Sequence, residues 1–276
     1  YWHNPSPENL AALLLHLANG HPRCRGRFTP PAPRPFPATG LWHPRAGRTF
    51  PALEDYLAWY GAHRGEGVGR RPRVGVVLFR HYIVSGNDEH YAAALEALEA
   101  EGLDVVAGFA AQHGDRLWAD FLAPAGVELL LNLTGFNLVG SMGNPRPQDA
   151  VRVLEEAGVP YLVAFPLLFQ TETAWRADPV GLAPMQTALQ ITLPELEGAA
   201  DPRVFAAMEP DGRVRPLPER VARLARRCRR WVDLRRKPRE KRRVALVIFR
   251  FPPDRGSVGS AAYLDVFRSL HRILTA

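Results

Sequence analysis

Cysteine is almost missing from this 276-residue chain: Cys24 and Cys228 stand alone and far apart. So distant a pair supplies neither a disulfide framework nor a zinc-ligand spacing, and such cysteine usage points to a reducing compartment, the cytoplasm. No run of eighteen apolar residues occurs, so no membrane-spanning helix is expected. The opening Tyr1-Trp-His-Asn-Pro5 has no basic segment leading into an apolar one, as a secretory leader would. The chain starts without Met and stops at Leu274-Thr-Ala276, just after an apolar helical run, and reads as an interior piece of a longer chain. A phosphate-binding lysine is also missing. The loop holding Gly135, Gly140 and Gly143 and the loop Asp254-Arg-Gly-Ser-Val-Gly-Ser260 both lack the Lys-Ser/Thr ending of a P-loop, so no ATP site is expected.

At 46% apolar and 23% charged, the composition is that of an ordinary globular protein. The net charge of +7 is concentrated: residues 213–243 hold fifteen Lys or Arg against Glu219, Asp233 and Glu240, which leaves the remainder slightly acidic. Such a run invites a nucleic-acid reading. Val221, Leu224, Ala225, Cys228, Trp231, Val232 and Leu234 recur through it at roughly helical spacing, however, which describes an amphipathic helix with an arginine-rich solvated face. An anionic protein partner remains open for that face, and no nucleic acid is expected.

Residues 1–20 read as a helix started by Ser6-Pro7, with Leu10, Leu13, Leu14 and Leu17 as its apolar face. Residues 21–50, rich in Pro, Arg and Gly, read as a connector, followed by a short helix near 53–63. From residue 73 the pattern becomes apolar runs alternating with helices. Strands are expected at 74–79, 104–109, 127–133 and 161–165, and helices at 88–101 and 148–157. That alternation predicts an α/β fold, a doubly wound parallel sheet of the flavodoxin or Rossmann kind. Residues 185–191 read as helical, 204–208 as a short strand and 218–236 as the basic helix. Val244-Ala-Leu-Val-Ile-Phe-Arg250 repeats the pattern of Val74-Gly-Val-Val-Leu-Phe-Arg80, and with a helix at 261–274 it reads as the start of a second α/β unit. The expected organisation is therefore an N-terminal helical and linker segment (1–70), an α/β domain (71–215), a basic connecting helix (216–243) and a truncated second domain (244–276).

In an open parallel sheet, ligands bind beyond the carboxyl ends of the strands. The loops there carry Arg80 and His81, Phe136, and Gln170 and Glu172, together with an Ala111-Gln-His-Gly-Asp115 segment. Polar groups beside aromatic and apolar ones suit a large flat ligand with polar edges. His81 and His90 match no metal-ligand spacing, so no resident metal set is expected and core or capping roles suit them better. Glu195, in Leu193-Pro-Glu-Leu-Glu-Gly198, is either a turn acid capping backbone amides or a proton acceptor and escort for a hard cation.

Eight stretches, collinear along the chain, carry a family resemblance. They are Ser6-Pro-Glu-Asn-Leu10, Gly40-Leu-Trp-His-Pro44, Glu54-Asp-Tyr-Leu-Ala-Trp-Tyr60, Leu133-Thr-Gly-Phe136, Pro160-Tyr-Leu-Val-Ala164, Pro166-Leu-Leu-Phe-Gln-Thr171, Leu193-Pro-Glu-Leu-Glu-Gly198 and Phe251-Pro-Pro-Asp-Arg-Gly-Ser-Val-Gly-Ser-Ala-Ala-Tyr-Leu264. Together they resemble the large-subunit family of magnesium chelatases and aerobic cobaltochelatases. Ser260-Ala-Ala-Tyr-Leu-Asp265 is more similar to the magnesium-inserting H subunit, whereas Arg80-His81-Tyr82 departs from the Arg-Ser-His order of some relatives. The resemblance implies a ligase-type subunit of (bacterio)chlorophyll synthesis that binds protoporphyrin IX and takes Mg2+ as substrate. It implies that ATP is used by separate AAA+ motor subunits and that a fragment is inactive alone. Glu195 would serve chelation, and Arg80, His81, Phe136, Gln170 and Glu172 would face the porphyrin. The cobalt-inserting relative and a non-catalytic porphyrin carrier are the alternatives.

Overall fold

The computed structural model describes residues 1–110, 114–141, 144–248, 259 and 264–275. Helix α1 (Pro7–Gly20) is followed by strands β1 (Thr39–Trp42) and β2 (Thr49–Phe50), helix α2 (Leu53–Arg64), β3 (Arg73–Phe79), the short α3 (Arg80–Val84) and α4 (Glu89–Ala100). Next come β4 (Asp104–Ala110), α5 (Gly114–Leu117) with a π-helical turn Trp118–Leu122, and β5 (Leu129–Asn132). A small hairpin of β6 (Gly140–Ser141) and β7 (Asn144–Pro145) leads to α6 (Pro147–Ala157), β8 (Tyr161–Leu167) and α7 (Glu172–Ala177). Helix α8 (Pro184–Thr187) continues through a π turn (Ala188–Thr192) into α9 (Leu193–Leu196); β9 (Ala200–Met208), β10 (Val214–Pro216), α10 (Pro218–Arg236) and α11 (Val266–Thr275) complete the order.

Eight strands form one sheet in the order β10-β9-β8-β5-β3-β4-β1-β2. The centre, β9-β8-β5-β3-β4, is parallel, and β1, β2 and β10 add antiparallel edges. The parallel core is as expected, and its continuous apolar strands follow from burial on both faces: β4, β5 and β8 are buried at every position. From β3 the chain winds one way to β4 and the other way to β5, β8 and β9. The strand order therefore switches between β3 and β5, the position whose carboxyl ends form the ligand crevice of an open α/β sheet.

Tyr1–Arg235 form one compact unit and Arg236–Ala276 a second. The expected boundary near residue 70 is not a boundary of packing. Within the stretch read as a connector, Leu41 and Trp42 pair with Phe50 and Thr49, and Thr39–Leu41 pair with Gly108–Ala110 of β4, so the N-terminal segment extends the same sheet. Helix α1 also differs from its expected orientation. Leu10, Leu14 and Leu17 are exposed, and Asn9 and Ala12 are buried. Asn9 sets the rotation: its Nδ2 donates to the carbonyls of Asn4 (2.7 Å) and Arg34 (2.8 Å), and its Oδ1 accepts from Arg34 N (2.8 Å). Three such bonds, each worth about 1 kcal/mol, tie the helix to the extended Pro-rich segment by a polar anchor.

In the second unit, Val244–Ile248 lie in no regular element and are exposed, against the expected strand. A strand needs a neighbour for its backbone groups, and no described strand pairs with them. Residues 249–258 and 260–263, including most of the second glycine-bearing loop, lie outside the described residues, as do 111–113. Among the described residues no helix is long and apolar enough to cross a membrane.

Candidate functional site

The ends of β3 and β5 flank the switch point. Phe79 closes β3, and its ring meets that of Phe136, from the loop after β5, edge to face at 6.2 Å. His81 is exposed beside them, its ring 6.3 Å from Phe79. Arg80 turns away into the N-terminal segment. Its guanidinium donates to the carbonyls of Pro37 (2.6 Å), Phe36 (2.8 Å) and His3 (3.2 Å) and to Asn4 Oδ1, and it stacks over the Phe36 ring. Arg80 thereby holds residues 3–37 against the end of the sheet, which a loop position in sequence could not reveal.

The loop after β5 is held from within. Asn132 Oδ1 accepts from the N–H and hydroxyl of Thr134 (2.9 and 2.7 Å), and its Nδ2 donates to Phe136 O (2.8 Å) and Tyr161 Oη (3.0 Å). Gly135 is required here: its φ is +77°, and a Cβ would stand 2.7 Å from Gln190 Nε2. Gln190 is fully buried with neither amide atom paired. The loop's far end is fixed by Glu197, whose carboxylate accepts from Leu138 N (2.6 Å) and Val139 N (3.5 Å). Burial pushes the Glu197 carboxyl up to about 7, with the two amides opposing. Neither Glu197 nor Gln190 stands out in the sequence; Glu197 is merely the second acid of a motif whose first acid draws attention.

Glu195 is exposed, on the turn of helix that precedes β9. Because β9 starts beside Leu162 at the beginning of β8, this acid lies toward the amino ends of the parallel strands, away from the crevice that gathers Phe79, His81 and Phe136. It lines a groove of about 540 Å³ with Leu154, Tyr161, Trp231 and a second carboxylate, Glu155. The capping role weighed for Glu195 falls instead to Glu197.

Gln170 and Glu172 lie beyond β8. Gln170 staples its own loop, donating to Gly181 O (3.1 Å) and accepting from Ala183 N (2.6 Å). Glu172 pairs with Arg176 at 2.7 Å, one helical turn on. Above β8 and β9 a second cleft, of about 500 Å³, is walled by Trp175 and edged by Arg203, Arg220 and Arg223.

The histidines separate. His90 is fully buried against Tyr82, Tyr91 and Phe205, and burial drives it down to about 3, so it is a neutral core residue. His43, His63 and Glu99 bring ligand-type atoms within 4.8 Å of one another. Their bonds already answer one another: Glu99 Oε1 faces His43 Nε2 (3.2 Å), Tyr60 Oη (2.8 Å) and Arg64 Nε (3.6 Å). Arg45 N donates to His43 Nδ1 at 3.3 Å, which leaves the ring proton on Nε2, toward Glu99. His43, Glu99, Tyr60 and Arg64 thus form a polar network joining the end of β1 to α2 and α4, with His63 stacked on Trp59 beside it. Cys228, fully buried and pushed up to about 12, is an inert core thiol.

A family model described as CobN/Magnesium Chelatase matches residues 1–276. The chain is 38% identical over 295 residues to the magnesium-chelatase subunit ChlH, chloroplastic, of Oryza sativa subsp. indica, which covers 99% of this chain and 21% of that protein. It is 27% identical over 269 residues to the aerobic cobaltochelatase subunit CobN of a Sinorhizobium species, covering 91% of this chain and 20% of that one. Among solved structures it is similar to the catalytic subunit of cobaltochelatase from Mycobacterium tuberculosis, with a TM-score of 0.65, 24% identity, and coverage of 98% of this chain and 22% of that chain, a likeness of fold. The chain thus spans about a fifth of the length of these relatives. With the mixed α/β sheet and the full-length family match together, the chain belongs to the CobN/magnesium chelatase family.

Proposed function

We propose that this chain is part of the large, tetrapyrrole-binding subunit of a magnesium-inserting chelatase, and that it serves insertion of Mg2+ into protoporphyrin IX in (bacterio)chlorophyll synthesis. The observation that carries the choice of metal is the greater identity to the relative named for magnesium than to the one named for cobalt. Insertion exchanges two pyrrole N–H protons for one dication, so the site must accept two protons and replace the water around a hard ion. Oxygen ligands suit that ion, which gives up water reluctantly. Glu195 and Glu155 line one groove at the amino ends of the strands and supply carboxylates able to receive the ion on its way to the ring. The crevice aromatics Phe79 and Phe136, with His81 at the rim, offer a flat surface for a macrocycle. Gln170 and Glu172 lie at the neighbouring strand end, and Arg80 holds the N-terminal segment against the end of the sheet. ATP hydrolysis is assigned to separate AAA+ motor subunits, and the compartment to the cytoplasm.

The test is metal choice. The intact protein, with its motor partners and ATP, is supplied with protoporphyrin IX and either Mg2+ or Co2+, and with a corrin precursor and Co2+. Magnesium insertion into the porphyrin alone is expected. Cobalt insertion into the corrin ring alone would replace this reading with the cobaltochelatase one, and tight porphyrin binding without insertion of either metal would leave a carrier.

A further inference from the structure

The cleft above β8 and β9 has a charge pattern that packing alone does not require. Its floor is apolar, formed by Phe165, Ile191 and Val204, and its only charged lining residues are Arg203, Arg220 and Arg223. One carboxylate, Glu219, is shared by Arg176 (3.2 Å), Arg220 (3.1 Å) and Arg223 (3.5 Å), so positive charge is in excess at the rim. The Arg220 guanidinium lies over the Trp175 ring, 4.8 Å from its centre, so this wall is a cation–π stack whose outer layer is a flat guanidinium.

Arg203 is set by a distorted strand. The register between β8 and β9 shifts twice, between Leu162 and Ala164 and again between Phe165 and Pro166. Asp201, at the first shift, has a φ of 54°, the one positive value among the described non-glycine residues. Bulges of this kind re-aim side chains beside binding sites. The Asp201 carboxylate takes Arg203 at 2.6 Å and Arg227 at 2.7 Å. Arg203 is thus anchored through one terminal nitrogen, while its Nε is buried with no hydrogen-bond partner. The rest of the guanidinium, about one-third of the side chain being exposed, keeps N–H groups for a ligand acceptor.

We propose that this cleft binds the carboxylate-bearing edge of a flat conjugated ligand: Arg203 and Arg223 hold the carboxylate, and Arg220, stacked on Trp175, presents its flat guanidinium to that edge. Guanidinium groups match carboxylate geometry, and a cleft of about 500 Å³ is of the size that encloses small-molecule ligands. The inference rests on the tetrapyrrole reading above, in which the carboxylates are the two acid side chains of the porphyrin.

The experiment measures equilibrium binding of deuteroporphyrin IX and of its dimethyl ester to the intact protein by fluorescence quenching. Arg203→Gln and Arg223→Gln should each weaken the diacid by about fivefold or more, as loss of a charge-assisted bond does, and leave the diester within twofold. Trp175→Leu should weaken both. Because Arg203 also steadies Asp201, Arg223, whose side chain is 57% exposed, provides the variant that folds without question. Equal losses for diacid and diester, or no loss for the diacid, would overturn the cleft assignment and leave the tetrapyrrole reading standing. A wild-type protein that binds neither porphyrin would overturn both.

Discussion

Glu195 and Glu197 are two residues apart on a single turn of helix, and two helical steps put side chains on opposite sides. Both border the groove that holds Glu155, but Glu195 is exposed while Glu197 is buried with its carboxylate on the loop after β5. The two substitutions to glutamine should separate accordingly. Glu195→Gln should fold normally and bind porphyrin, yet insert magnesium at least about tenfold more slowly, a barrier change of only about 1.4 kcal/mol; a single-turnover rate equal to wild type would refute its role. Glu197→Gln should act on stability. Burial raises the Glu197 carboxyl from 4.5 to about 7, so the folded state holds this proton more tightly than the unfolded state. Below about pH 4.5 both states are protonated and folding bears no penalty. Between there and pH 7 the unfolded chain ionises first and the penalty grows, reaching on the order of 3 kcal/mol above pH 7. Glutamine has no such charge, so the stability of the variant relative to wild type should improve from pH 5 to pH 8 in urea unfolding. A difference that does not change with pH would contradict the burial argument. The sequence shows two acids in the motif and a glycine after them, but not which acid is inside, because that depends on Leu138 and Val139, some sixty positions away.

At the scale of elements, the strands legible in advance were those whose own composition declares burial. The run 74–79 falls in β3, 104–109 in β4 and 161–165 in β8, because a strand covered on both faces is apolar throughout. Strands β1 and β2 were hidden: they are four and two residues long, lie amid Pro and Arg, and exist only through pairing with each other and with β4. Helix α1 was legible as a helix but not in its orientation, since a leucine stripe suggests a buried face and Asn9 overrides it with three bonds. Helix α10 was legible in both, with Val221, Leu224, Ala225, Cys228 and Val232 inward. On its outer side Arg227 and Arg229 pair with Asp201 and Asp233, while Arg226 and Arg230, one turn apart, are exposed. Reversing the charge of both should leave the fold intact, as surface changes do, and weaken association with an acidic partner surface in a salt-dependent way. Partner affinity unchanged at low salt would mean that the basic stripe is solvated surface and nothing more.

At the scale of the whole molecule, the first unit closes its core without the second. Removing everything after Pro238 is therefore expected to leave a cooperative transition with a midpoint within about 2 °C of the longer chain, since the midpoint follows the stability of the unit that melts. A broadened or strongly lowered transition by calorimetry would show that residues beyond 238 complete the core after all. The sheet, meanwhile, stops itself. Its outermost strands, β2 and β10, are two and three residues long and run against their neighbours, so each of these two strands presents only a stub of free backbone. A second chain meeting β2 or β10 has almost no ladder to continue, so contact at those two strands falls to side chains, where fit can be specific and reversible.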